Sequence, residues 1–385
     1  NVGGAGGAEI IKGVNKTVHN AGPSMIVKEL AKSGHGCYSD VIILDEVDKA
    51  EPGFFNALYE FLDPNEEFIY DQYLECHIPK NNFLVVLTFN DSSCIPLPIK
   101  DRMEIVEYSN YSIQDKKMIV ANYILPKLKK KFGIGRLTID DDALDLYAYH
   151  YDVIPGMRSA ERDFEFILMS IARSGSGRFS DIVNIDKKLI MGVLGKMRTS
   201  GLNDIPPCSV GKFGMAQALA ITSEGIGVST AVETVINPYQ EKNIVVTGLL
   251  EGSCLESVSV ACCFVNNYIQ KELPKLHIHM TDAVRKDGPS AGITIVMSIL
   301  SCMLGKTIPN VAFTGSIDLY GNIGPVGGVF EKCIAAERTS VDKVIVPSEC
   351  YRSLVDRKEI ERLKVEVVPA DTVEEVIRYV WGKEA

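Results

Sequence analysis

The chain has 385 residues, room for two or three domains at ~100–200 residues each, and its 46% hydrophobic and 23% charged composition excludes disorder, collagen and coiled coil. Forty Lys plus Arg against fifty Asp plus Glu leave a net charge of −10, which argues against a chain built mainly to neutralise nucleic-acid phosphates. No apolar run approaches the ~18 residues that a membrane span needs, so no membrane partner is expected, and no basic-then-apolar leader follows Asn1.

Three regions separate by pattern. The first, to about Glu107, has a buried-strand run Val41–Leu44, a helical stretch Gly53–Leu62 and a second run Phe83–Phe89, the alternation of an α/β sheet. The second, 108–205, reads as helices alone. Ser112 and Asp115 form a capping box, Pro126 should bend or end the first helix, and Asp140–Tyr149, Met157–Ala172 and Asp186–Gly195 keep helical spacing. The aperiodic stretch Ser200–Lys212, with two prolines and two glycines, reads as a linker. The third opens with strands Ala216–Ile221 and Ile244–Thr247 and a helix that Ser253 and Glu256 should cap. After a strand His277–Met280, helices at 290–304, 329–338, 351–363 and 372–381 alternate with strands at 311–314, 343–346 and 364–368. Ten cysteines are spread along the chain without a C-x-x-C, which predicts free thiols in a reducing compartment and no zinc site.

Two constellations carry chemistry. The first strand run ends in Asp45-Glu46, where one carboxylate could hold magnesium and the other orient a water. A second run brings Asn90 to the same sheet edge, and Arg102 and Arg158 are cations able to neutralise phosphate charge. No G-x-x-x-x-G-K-[ST] accompanies them: Gly3–Gly7 lacks the lysine, and Gly13-Val-Asn-Lys16-Thr17 has Asn15 where a glycine is required. Weak ATP binding follows, with the phosphate loop expected upstream of Asn1 or lost.

The second is Lys286-Asp-Gly-Pro-Ser290-Ala-Gly292, leading into the apolar helix Ile293–Leu304. A serine at a helix start, among glycines and free N–H groups, is a candidate nucleophile or an N-cap. The G-x-S-x-G match would suit an α/β-hydrolase, but all six histidines precede Ser290, so that triad order fails. Lys332, in the first turns of the helix after Pro325-Val-Gly-Gly328, is the candidate base; bringing its pKa from ~10.4 to ~7–8 requires about 4 kcal/mol of burial and helix-dipole effects. A rival Ser209-x-x-Lys212 lies in the linker and opens no helix. His277 and His279 alternate on one strand face and could line a substrate cleft.

Taken together, Asp45-Glu46, Asn90, Asp101-Arg102-Met-Glu, Gly156-Met-Arg158, Lys286-Asp-Gly-Pro-Ser290-Ala-Gly and Pro325-Val-Gly-Gly-Val-Phe-Glu-Lys332 resemble the Lon family of ATP-dependent proteases. The resemblance implies an α/β fold class: a partial AAA+ α/β core (1–107), an all-α AAA+ lid (108–205) and a Lon-type α+β/α/β proteolytic domain (206–385). It implies a serine endopeptidase using Ser290 and Lys332, with Asp287, Gly288, Ala291 and Thr314 supporting the oxyanion and the dyad, acting on unfolded or damaged proteins in the cytoplasm or mitochondrial matrix. Asp45 would bind magnesium with ATP, Glu46 activate water, Asn90 be sensor 1, Arg102 a finger reaching a neighbouring subunit of a hexamer, and Arg158 sensor 2. The peptidase step itself would need no cofactor. The chain departs from the family pattern at Val18-His19 in the pore loop, in the short Ala50–Gly53 segment and at Ser316. An ATP-independent peptidase relic and a non-proteolytic AAA+ remodelling module are the alternatives.

Overall fold

The computed structural model describes residues 1–2, 7–33, 41–80, 84–174, 182–199, 212–222, 225–248, 252–281 and 288–382, which fall into two compact units, 1–108 and 109–385. The linker reading therefore lies almost wholly outside the described residues.

In the first unit, α1 (Met25–Ser33) is followed by β1 (Val41–Leu44) and α2 (Pro52–Phe61). Pro52 suits the first position of α2, where its missing N–H has no partner to lose. A hairpin of β2 (Phe68–Asp71) and β3 (Cys76–Pro79), not anticipated from the sequence, comes next. Its turn is organised by the fully buried Asp71, which accepts from the N–H groups of Tyr73, Leu74 and Ser24. β4 (Leu84–Leu87) pairs in parallel with β1, Val41 opposite Leu84 and Ile43 opposite Val86. Leu44 and its neighbours join a core built on Phe54, Leu58, Ile95 and Ile99.

The second unit begins with α3 (Ile113–Ile119), and the Ser112–Asp115 capping box forms in both directions. Pro126 does not end this helix. A wide π-turn, Val120–Ile124, intervenes before α4 (Leu125–Phe132), and it lets the chain pass a residue that has no N–H to donate. The stretch expected to be all helix also holds a two-stranded parallel ladder, β5 (Arg136–Ile139) with β6 (Ile182–Ile185), around α5 (Asp141–His150) and α6 (Arg158–Ser174), before α7 (Lys187–Leu194). Arg136 and Thr138 in β5 and Asn184 in β6 break the apolar runs, so neither strand stands out beside the helices.

The rest is a seven-stranded mixed sheet in the order β15-β14-β11-β7-β8-β10-β9. Its elements in chain order are β7 (Met215–Ile221), β8 (Gly227–Ile236), β9 (Ile244–Thr247), α8 (Gly252–Ile269), β10 (Leu276–Met280), α9 (Gly292–Leu304) and β11 (Val311–Phe313). After a small hairpin of β12 (Ser316–Ile317) and β13 (Ile323–Gly324) come α10 (Val329–Arg338), β14 (Lys343–Pro347), α11 (Ser348–Asp356), β15 (Glu366–Ala370) and α12 (Val373–Trp381). α11 stops at Asp356 and not at 363, the tail of the expected helix being a separate tight turn, Ile360–Arg362. α9 is buried on every side, each residue from Gly292 to Ser301 being packed among the sheet, α8 and α12. α10 and α11 cover the other face with Phe330, Cys333, Ile334 and Leu354.

Candidate active site

Ser290 sits half-buried in a single tight turn, Pro289–Ala291, that runs straight into α9. Gly288 before it has φ 104°, a backbone conformation that side-chain-bearing residues rarely adopt. At Gly292 a Cβ would come within 2.9 Å of Ile317 Cγ1 and 3.1 Å of its nitrogen, so the glycine lets the helix start press against the strand-end segment 314–317. Backbone bonds stitch the two together: Gly315 N–H donates to Ser290 O at 2.9 Å, and Ile293 N–H donates to Gly315 O at 3.2 Å. Ser290 is thus hung from the residue that follows Thr314.

Lys332 reaches the same segment from the other face. It lies in the first turns of α10 and is 2% exposed, and its Nζ donates to the Oγ1 of Thr314, 1% exposed, at 3.2 Å. Burial pushes the amine down to about 8, against smaller opposing influences of Cys350, Cys333 and Glu331. At pH 7 about a tenth of such amines carries a free lone pair, the form a base requires, far more than at the ordinary lysine value. Serine and lysine therefore converge on Thr314–Gly315 at the carboxyl end of β11, a strand inside the sheet where ligand sites of α/β folds gather.

The family model for the Lon protease (S16) C-terminal proteolytic domain matches residues 184–382, more than half of the chain. The chain belongs to the Lon protease family. It is 32% identical to Lon protease 3 of Sorangium cellulosum across 96% of this chain and 46% of that protein. It is also 32% identical to Lon protease of Clostridioides difficile, across 95% of this chain and 48% of that protein, and 31% identical to Lon protease of Methanosarcina barkeri, across 96% and 47%. This Lon-family chain spans a little under half the length of these relatives.

The remaining candidates are placed as follows. Asp287 lies outside the described residues, whereas Gly288 precedes the Ser290 turn and Ala291 is its last residue. One signal was misread: Ser253 does not cap α8, which already begins at Gly252. Its hydroxyl accepts from Gly288 N–H at 2.9 Å, two residues before Ser290. The S-x-x-E spacing resembled a cap because both uses place a serine oxygen against an N–H. His277 and His279 both hydrogen-bond the Thr247 hydroxyl, at 2.9 and 2.8 Å. Their strand is three places along the sheet from β11, about 14 Å at ~4.8 Å per strand.

In the first unit Asp45 and Glu46 follow β1, and the Thr88 hydroxyl at the end of β4 donates to Asp45 Oδ1 at 2.5 Å. Glu46 pairs with Lys49 at 2.7 Å, and Asn90 is exposed two residues beyond Thr88. Arg102 stacks on Tyr59, 3.8 Å from the ring centre, and bonds to Tyr59 O and Asp63. Arg158 belongs to the second unit, exposed at the start of α6.

Proposed function

We propose that this chain is the peptidase part of a Lon-type protease and that Ser290 and Lys332 are its catalytic dyad. Ser290 Oγ attacks the carbonyl carbon of a peptide bond while neutral Lys332 Nζ takes the hydroxyl proton. N–H groups at the start of α9, those of Ser290 and Ala291 nearest, hold the oxyanion. As the C–N bond breaks, the ammonium returns its proton to the leaving amine. Water then hydrolyses the Ser290 ester with the same amine as base. Thr314 holds the lysine in place. The observation that carries the reading is the buried Lys332 amine bonded to Thr314, next to the residue that bonds Ser290.

The wider reading is a hexameric, ATP-fed protease for unfolded proteins. Asp45, which accepts from the Thr88 hydroxyl at a strand end, would hold the magnesium. Glu46, Asn90, Arg102 and Arg158 would keep the roles that the family resemblance implies for them, and ATP with magnesium would supply the energy of substrate delivery. The fit is partial: Arg102 is occupied by Tyr59 and Asp63, and the sequence holds no phosphate-cradling motif.

The test compares cleavage of an internally quenched peptide pool and of an unfolded protein by the wild type, Ser290→Ala and Lys332→Ala. Both substitutions should abolish peptide cleavage, and equal activity in all three proteins would end the protease reading. The wild-type rate should climb through a limb near pH 8 as Lys332 loses its proton. A rate that stays flat from about pH 6 to 9 removes Lys332 as the base.

A further inference from the structure

The turn that carries Ser290 is held at both ends. At its far end Gly315 N–H donates to Ser290 O. At its near end Gly288 N–H donates to the hydroxyl of Ser253, in the first turn of α8, at 2.9 Å. Between the two held residues stands Pro289, whose ring confines its own φ to about −65°. The aim of the turn therefore depends on Gly288.

Gly288 has φ 104° and ψ 150°, and among the described residues a Cβ built on it would meet no atom within 4 Å. Gly292 differs: it is wedged against Ile317, so packing alone explains why it is a glycine. At Gly288 the glycine is required by the backbone angle, and packing does not impose that angle. A glycine in open space has a wider choice of backbone angles than any other residue, so an acceptor that orients its N–H removes much of that choice.

The acceptor stands on a firm support. Cys254, Val258 and Ala261 of α8 are buried in the core that α9 shares, and Ser257 Oγ donates back to Ser253 O at 2.9 Å. A serine at a helix start commonly serves its own helix; the Ser253 hydroxyl instead accepts from a residue 35 positions away, two before the nucleophile.

We propose that Ser253 is a positioning residue for peptide hydrolysis: its hydroxyl oxygen holds Gly288 at positive φ and so aims the Ser290 turn at the scissile carbonyl. The inference rests on the Ser290–Lys332 reading. Ser253 acts through the backbone of Gly288 and Pro289, so it governs the chemical step and not peptide binding or the proton affinity of Lys332.

The test compares two substitutions of the same shape in the full chain, Ser253→Thr, which keeps the oxygen, and Ser253→Val, which lacks it, at a temperature where thermal melts show both folded. With a single internally quenched peptide, Ser253→Thr should stay within about twofold of the wild type, whereas Ser253→Val should lose about tenfold or more in kcat with KM within about twofold. The rising limb near pH 8 should stay in place. Gly288→Ala should lose kcat as well, and adding Ser253→Val to it should cost less than in the wild-type background. Equal kcat in the Thr and Val variants, a loss confined to KM, or a moved limb would overturn the inference. Should Ser253→Val fail to fold, Ser253→Ala against Ser253→Thr makes the same comparison, and a Gly288 amide that exchanges in deuterium oxide as fast as an unbonded one would overturn the inference without any variant. A Ser290→Ala protein that still cleaves the peptide would instead overturn the dyad reading beneath it.

Discussion

At the scale of single residues, the amine of Lys332 sets a conflict between stability and chemistry. Its fall from 10.5 to about 8 on burial means that, below pH 8, the fold carries a penalty of about 3 kcal/mol at ~1.4 kcal/mol per pH unit. The sign follows from the direction: a lysine depressed in the folded state costs most where both states are protonated, and the cost fades between pH 8 and 10.5. Lys332→Met keeps the packing and removes the charge. It should raise the melting temperature at pH 7 and lose that advantage by about pH 10.5, as calorimetry at the two pH values would show. A variant no more stable than wild type at pH 7 would mean that the amine is not desolvated.

Among elements, β8 matters more to the site than its distance in sequence suggests. A Cβ at Gly227 would lie 1.9 Å from the carbonyl oxygen of Glu331, so this strand and α10 meet backbone to backbone beside Lys332. Gly227→Ala must push α10 away. We expect a loss of about 2–4 kcal/mol in denaturant titrations and of most peptidase activity; wild-type values for both would contradict this close approach. The same strand explains where pattern reading stops. β1, β9 and α10 were legible to the residue, because an apolar run or a glycine-bounded amphipathic turn marks each of them. β8 was missed because its interior carries Ser229, Thr230 and Thr234, all buried and satisfied by Gln217, by the carbonyl of Thr281 and by Ser298, so polar residues interrupt what would otherwise read as a core strand. Ser290 and Lys332 could be picked out because both open helices behind glycines. The hold of Ser253 on Gly288 and of Asn110 on Glu331 could not, since 35 and 221 residues separate the partners and no local pattern links them.

At the scale of the chain, among the described residues one face of the parallel pair in the first unit is exposed: Val41 is 57% exposed, Ile43 63%, Leu84 62% and Val86 37%. Four aligned apolar side chains on a sheet with open edges favour association. The chain should bind a hydrophobic dye and run above its monomer mass in light scattering. Ile43→Lys with Leu84→Glu should suppress both while leaving the melting temperature within about 1 °C. Unchanged dye binding would point to another surface.

The bond from Gly315 N–H to Ser290 O, with its companion from Ile293 to Gly315, has a consequence for how the molecule breathes. Because each amide proton is held by the other segment, neither segment can open to solvent alone. In deuterium oxide the Gly315 and Ile293 amides should therefore exchange together, at one rate and with one temperature dependence, and the Ser290 turn and the Thr314 segment bonded by Lys332 should be lost in the same opening event.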